Sequence, residues 1–471
     1  MVILIDVLQK AADFGRSLGA TYTELRGESL NRSSIQYEDG RVRSISQRIE
    51  EGAAIRVLAG GAWGFVSSSD LSLDALKASV KDAYSLAARA GQARREPITL
   101  AKLPAAHETV KLKFVRSPAD VKPAEKIAYA ERLWHEAQRL DKRMSAITVR
   151  VRDSVGKKYI ATSDGTQLEI NLGHVHVWTW LTAKEGAKLT GARDECGSTV
   201  QGWEYFDEVQ PAPMVAQRLV ARVQKQLTGV KPKAGTFACV LGPEVVGTLA
   251  HEALGHLSEA DLTLQSAFAG KMGQQVAPKG VNMIDDGTLA GAFGTEKYDD
   301  EGARTSRVEL IKDGVLKGLL TDREYAQRMN APVSGNARAE DYRVVPLIRM
   351  RNTFFERGDR PDDELFEDID FGYYCLSVAG GQAQTNASFQ VGIQEAFEIV
   401  KGEVSRPVTN VSISGIATDA LMKIEGIGKE KFALDQGRCG KGQEALVGSG
   451  GPLIHFAKGP IAFGGKEQSK E

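Results

Sequence analysis

Residues 236–261 read TFACVLGPEVVGTLAHEALGHLSEAD, and the order of signals in this stretch decides how the chain is divided. The run TFACVLG is a short apolar strand, and Pro243 directly after it suits the first turn of a helix, where its missing N–H is no loss. A strand therefore leads straight into the helix that carries His251. Just upstream, TGVKPKAG (228–235) breaks every periodicity with Pro and Gly. The expectation is two domains, 1–231 and 232–471, meeting at that break.

Working towards the N-terminus, MVILIDVLQKAADFGRSLGA has the spacing of an amphipathic helix. Period-2 alternation follows in TYTELRGESLNRSSIQYEDG and in GAAIRVLAGGAWGFVSS, where Gly60-Gly61 supplies a hairpin turn. These segments predict two strand pairs. Helical spacing returns after Ser72, a candidate N-cap, after Pro123, and in PMVAQRLVARVQKQL, with strand-like sequence such as QLEINLGHVHVWTWLTA between them. Towards the C-terminus, RVELIKDGVLKGLLTD carries Asp313-Gly314 as a hairpin turn, and the last third is rich in Gly and β-branched residues. The fold class is α+β. Helices lie on an antiparallel sheet in the first domain, and an antiparallel sheet or barrel surrounds a few helices, including the one bearing His251, in the second.

The 471 residues carry 60 basic and 61 acidic side chains, so no overall field gathers nucleic acid or an anionic membrane surface. Four cysteines (Cys196, Cys239, Cys375 and Cys439) are too few for a disulfide framework in so long a chain. They fit a reducing compartment, with the cytoplasm as the expectation. No window reaches the roughly 18 apolar residues of a membrane span, and Asp6 interrupts the only stretch resembling a signal peptide.

The segment HEALGH places two histidines five residues apart around Glu252. On a regular helix a spacing of four leaves two side chains about 40° apart and a spacing of five about 140° apart, so an undistorted helix cannot chelate one ion with both. Two routes restore convergence. A π-bulge brings i and i+5 onto one face, or the helix ends at Gly255, whose freedom at positive φ swings His256 back. Either way Glu252 is placed to take a proton from water, as the glutamate of H-E-x-x-H enzymes does. A catalytic zinc takes three protein ligands, and Glu259, Asp261 and Cys439 are candidates for the third. Cys439 lies in a glycine-rich turn with Lys441 nearby to favour its thiolate.

Other matches carry less. Gly15–Gly19 fits G-x-S-x-G but sits at a helix end, and GRCGKGQ lacks the loop length of a phosphate-binding loop. His174 and His176 share one face of a strand with no carboxylate nearby in the sequence, which reads as a polar strand face.

HEALGHLSEAD, DDEGART, SGNARAEDYR, RMRNTFF and RCGKGQ, preceded by YTELRGE, EDGRVRS and RVLAGGAWGFVS, resemble in order the segments of the TldD/PmbA family of metallopeptidases. The resemblance runs essentially end to end. It implies a zinc-dependent peptidase acting on short or unfolded peptides, with His251, His256 and Cys439 as ligands of Zn2+ and Glu252 as general base. Keeping H-E-x-x-x-H puts the chain on the TldD side, which implies a homodimer or a heterodimer with a PmbA/TldE-like chain. Asn336, Arg338 and Asn352 are candidates to line the substrate cleft, with Arg338 or Tyr342 donating to the oxyanion. Arg351 stands where the family pattern leads one to expect a smaller residue. The alternative is a peptide-binding or maturation partner whose zinc is structural.

Overall fold

The amphipathic first stretch folds as helix α1 (Leu4–Ser17), which turns Leu8, Ala11 and Ala12 into the core. The computed structural model describes residues 4–465. Alternation then continues further than the sequence suggested, through β1 (Tyr22–Glu38), β2 (Arg41–Ala59) and β3 (Ala62–Ser68). The two expected strand pairs are one meander, because β2 pairs with both neighbours. Its polar half, Arg41–Glu51, shows no apolar alternation and is held by pairing with β1 alone. Both turns need positive φ, and have it at Asp39-Gly40 and Gly60-Gly61.

Helix α2 (Leu73–Ala93) starts at Ser72, whose hydroxyl accepts from the Ala75 amide. After β4 (His107–Val110) comes α3 (Pro123–Leu140), which begins at its proline as expected. Then come β5 (Met144–Thr162), β6 (Gln167–Glu185), β7 (Lys188–Ser198) and α4 (Ala212–Thr228). The sheet order is β3-β2-β1-β5-β6-β4, with β7 also paired to β6. Leu25, Ile35 and Tyr37 of β1 share one face, buried under α1 and α2 at one end and α3 and α4 at the other.

The opposite face of β1 and β2 is polar yet buried, because the second half of the chain covers it. Arg56 pairs with Glu24 and Glu301, Lys158 with Asp300 at 2.6 Å, and Arg26 lies 3.7 Å from Asp300. The acidic run of DDEGART is thus the complement of basic groups on the first sheet. These pairs are nearly solvent-free, so removing one partner leaves a buried charge exposed to no water.

The second sheet has thirteen strands, the first at Gly235–Thr236 and the last at Ile461–Gly465. It is mostly antiparallel as expected, with two corrections. Ala238–Leu241 runs parallel to Phe371–Ala383, and Asn352–Phe355 runs parallel to 448–450. Arg307–Lys312 and Val315–Leu316 form the expected hairpin, with φ of 48° at Asp313 and 76° at Gly314. Inside the curve of this sheet sits the segment beginning at α5 (Pro243–Thr248), which buries Val245, Val246, Ala250, Ala253 and Leu254. No helix among the described residues is long and apolar enough to cross a membrane.

Candidate metal centre

Helix α5 does not continue in regular geometry. Leu249–Gly255 forms a π-helical turn, and the His256 backbone N–H donates to the His251 carbonyl five residues back. The wider turn removes the angular mismatch of an i, i+5 pair. The two imidazole rings meet edge to face with centroids 5.3 Å apart. Of the two routes open to the sequence, the bulge is the one taken. Gly255 has φ −62° and ψ −47°, which is helical, so its freedom at positive φ is not used. Glycine is demanded by packing instead. A Cβ at Gly255 would lie 2.0 Å from Met350 Sδ and 3.0 Å from the Ala250 carbonyl oxygen.

Cys439 arrives from the far end of the chain, near the end of strand Ile424–Gly440, which folds back through 441–443 into Glu444–Phe456. Its Sγ is 3.4 Å from His256 Nε2, and the ligand-type atoms of His251, His256 and Cys439 all lie within 4.8 Å of one another. Arg349 holds this strand end from behind, donating from Nη2 to the Cys439 carbonyl and from Nη1 to the Gln443 carbonyl, both at 2.7 Å. His256 is oriented by Glu259, whose Oε2 is 2.9 Å from Nδ1, leaving Nε2 directed at the cluster. Glu259 is fully buried and is balanced by Lys441 at 3.1 Å, which also pairs with Asp261 at 2.6 Å. Glu259 and Asp261 are therefore engaged away from the three-residue cluster.

Three observations fit a soft divalent ion here. Both ring nitrogens of buried His251 lack a hydrogen-bond partner among the described residues, an arrangement that is costly for polar atoms without a ligand. Although burial opposes it, the His251 and His256 imidazoles pull the Cys439 thiol down to about 4, so the sulfur is held as thiolate. Burial also opposes the charge on His256, but the Cys439 sulfur and the Glu259 carboxylate raise it to about 10, so an ion bound at Nε2 would take the place of a proton there. Two imidazoles and a thiolate are a donor set suited to zinc. Lys441, expected to promote the thiolate, is occupied with the two carboxylates instead.

Glu252 Oε2 lies 3.9 Å from His256 Nε2. With His251 it lines a cavity of about 540 Å3 shared by β7, α4, the hairpin 371–400 and the Cys439 strand. This wall carries Arg193, Arg222, Glu244, Asp435 and Arg438, which the sequence reading did not single out. The i, i+4 pair Arg218 and Arg222 on α4 and the placement of Arg438 next to Cys439 were the available signals.

The four residues expected to contact substrate lie outside that cavity. Asn336 donates to Asp285 and to the Arg349 carbonyl, and Asn352 binds the Asp286 carbonyl, Thr295 and the Gly294 amide. Arg338 donates to the Met350 carbonyl at 2.7 Å, and Tyr342 packs over Gly52. The polar groups of Asn336, Arg338 and Asn352 tie the loops behind the cluster together. Arg351, unexpectedly large, is 1 % exposed because its guanidinium binds the Gly335 and Gly294 carbonyls. His174 and His176, read from sequence as a polar strand face without a carboxylate partner, are partnered in the fold. Strand pairing carries Glu195 to 2.6 Å from His176 Nε2, and His174 contacts Arg438.

Comparison with known proteins agrees along the whole chain. Profiles of the PmbA/TldA metallopeptidase domains match residues 23–87 (domain 1), 116–227 (central domain) and 234–458 (C-terminal domain). A zinc metalloprotease TldD homolog of Saccharolobus solfataricus is 32% identical over 94% of this chain and 96% of its own length. A metalloprotease of Methanocaldococcus jannaschii is 34% identical over 92% and 95% respectively. The crystal structure of TldE from Thermococcus kodakarensis has the same fold, with a TM-score of 0.74 over 97% of this chain and 100% of that one at 19% identity.

Proposed function

Because the chain belongs to the PmbA/TldD metallopeptidase family, we propose that it is a zinc-dependent peptidase that hydrolyses short or unfolded peptides. The observation that carries the reading is the π-helical turn, which sets His251 and His256 beside Cys439 with Glu252 on the wall of an open polar cavity.

In this reading His251 Nε2 or Nδ1, His256 Nε2 and Cys439 Sγ hold the ion. Bound zinc supplies Lewis-acid polarisation of the scissile carbonyl and of water. Glu252 accepts the proton of the attacking water and delivers it to the departing amine, since it is the carboxylate nearest the cluster that lines the cavity without another assigned partner. Glu259 keeps His256 in the tautomer and orientation a ligand needs, the usual task of a carboxylate behind a metal-binding imidazole. Arg222 and Arg438 on the cavity wall bind peptide carbonyls or carboxylates, in place of Asn336, Arg338 and Asn352, which were expected to line the cleft. A purely structural zinc needs a fourth protein ligand, and the engagement of Glu259 and Asp261 by Lys441 speaks against their serving as one. The division at 231/232, a cytoplasmic location, and assembly as a homodimer or with a PmbA/TldE-like chain belong to the same proposal.

The test is Glu252→Ala in zinc-loaded protein. Zinc content should stay at the wild-type level while peptide hydrolysis falls by about 10²-fold or more, the usual contribution of a general base. Unchanged hydrolysis in this variant would overturn the mechanism.

A further inference from the structure

One face of the first sheet floors two cavities. Direct cross-strand partners share a face and alternate residues return to it. Glu195 of β7, His174 of β6, Ser154 of β5, Arg32 of β1 and Arg48 of β2 therefore all point the same way. At the β7 end this floor borders the cavity at His251, which Arg193 and Glu195 line. Towards β2 it borders a second cavity of about 460 Å3, and Arg438, beside Cys439, lines both. With neighbouring strands about 4.8 Å apart, the floor from β7 to β2 is about 19 Å long, which about six extended residues would cover.

The second cavity is cationic. Four guanidiniums, of Arg32, Arg48, Arg152 and Arg438, line it against three carboxylates, and one of the three, Asp153, is turned to Lys126 on the other side of the sheet at 2.6 Å. Arg32 and Arg48 are direct cross-strand partners, an arrangement that repels, and both lean on Glu50, each at 2.9 Å. Glu444 and Glu340 come from the second half of the chain. Arg438 donates to Glu444 at 3.0 Å, and the Glu444 amide donates to Glu340. Arg152 is left over. Its side chain donates no hydrogen bond among the described residues, and its one ion pair, to Glu444, is 3.9 Å long. On the same strand face Ser154 is 3% exposed with its hydroxyl unpartnered, a cost that a ligand in the cavity would relieve. The positive potential reaches His174, which burial, followed by Arg438, His176, Arg32 and Arg152, holds well below the usual imidazole range.

We propose that this cavity is a specificity subsite in which Arg152 and Ser154 bind the carboxylate of an aspartate or glutamate side chain on the substrate, a few residues from the scissile bond. The subsite rests on the peptidase reading, because the chain held at the metal centre is the one that crosses the shared floor past Arg438. A free guanidinium fork beside a hydroxyl is matched to a carboxylate.

The experiment measures peptide binding by fluorescence anisotropy to full-length, zinc-loaded Glu252→Ala protein, which should hold peptide without cutting it, beside cleavage of the same peptides by wild type. Labelled decapeptides carry one Asp, scanned along their length, with Asn and Lys counterparts. At one or two positions the Asp peptide is expected to bind about tenfold tighter than its Asn counterpart, the discrimination of one charge-assisted hydrogen bond. Arg152→Gln in the same background should abolish the difference. Arg152→Glu should favour the Lys peptide at the same position, a reversal that misfolding cannot produce. Equal affinities for Asp and Asn peptides at every position would overturn the proposal, even if inorganic phosphate alone binds these arginines. An Asp preference that persists in Arg152→Gln would overturn it as well. Peptides bound with the expected preference yet left intact by wild type would overturn the peptidase reading instead and leave the subsite standing.

Discussion

Gly255→Ala separates two explanations of why a glycine precedes His256. If its role were freedom at positive φ, any side chain would break the turn and no second change would repair it. The structure gives Gly255 helical angles, so alanine is acceptable to the backbone and by propensity would even gain up to about 1 kcal/mol. Against this stands a Cβ 2.0 Å from Met350 Sδ, and Met350, 1 % exposed, would have to shift within the core. Overpacking of this kind costs about 1–3 kcal/mol. The net expectation is a destabilisation of about 1 kcal/mol, with weakened zinc retention because the clash lies next to His256. Met350→Ala alone leaves a cavity and destabilises by about 2–5 kcal/mol. Combined with Gly255→Ala, the new methyl occupies part of that cavity. The double-mutant cycle in urea should therefore show a favourable coupling of about 1–3 kcal/mol. A coupling near zero, with Gly255→Ala unfolding the site in both backgrounds, would refute the packing argument and restore the conformational one.

Further outcomes follow from the groups around the cluster. Glu259→Gln removes the carboxylate that orients His256 and should lower zinc affinity about 10- to 100-fold in chelator competition, with the fold retained. Lys441→Met leaves Glu259 buried without its cation and should cost about 3–5 kcal/mol in chemical denaturation. Asp435 lines the cavity facing Glu244 and Asp194, with Arg193 and Arg222 on the same wall. Burial, followed by Glu244, pushes it up to about 7 against the pull of Arg222. The folded state then holds a proton that the unfolded state releases near 4, so this group's contribution to stability declines as pH rises from about 4 to 7. Asp435→Asn removes that decline, and its stability advantage over wild type should grow by about 1 kcal/mol between about pH 6 and pH 8. Parallel stability–pH curves for the two proteins would show that Asp435 is not held protonated.

Much of the site was legible because spacing is geometry. A spacing of five from His251 to His256 demanded a distortion, and the hydrogen bond from His256 to the His251 carbonyl is that distortion. The identity of the partner was a different matter. The glycine-rich turn and Lys441 favoured Cys439 over Glu259 and Asp261 without excluding them, and the likeness to a family pointed to the same cysteine, which the fold brings alongside. Arg349 and Arg351 were opaque because buried arginines read in sequence as surface residues, and their role depends on carbonyls from three other loops. The same blindness affected Glu24, Arg26, Glu28 and Arg56. Their alternation with apolar residues reads as a solvent-facing side, yet the second half of the chain covers them. His176 looked unpartnered until the pairing of β6 and β7 delivered Glu195 from nineteen residues away.

The grip of Arg349 on the end of the Cys439 strand bears on how the centre matures. The thiolate's backbone is fixed by a guanidinium, and the His256 ring by a carboxylate that is itself neutralised by Lys441. None of these restraints comes from an ion. On the proposed zinc reading, these restraints predict that the scaffold positions the cluster during folding and that the ion is loaded afterwards. Apo protein should accumulate as a folded, loadable pool, unlike small zinc domains that wait for their metal in order to fold.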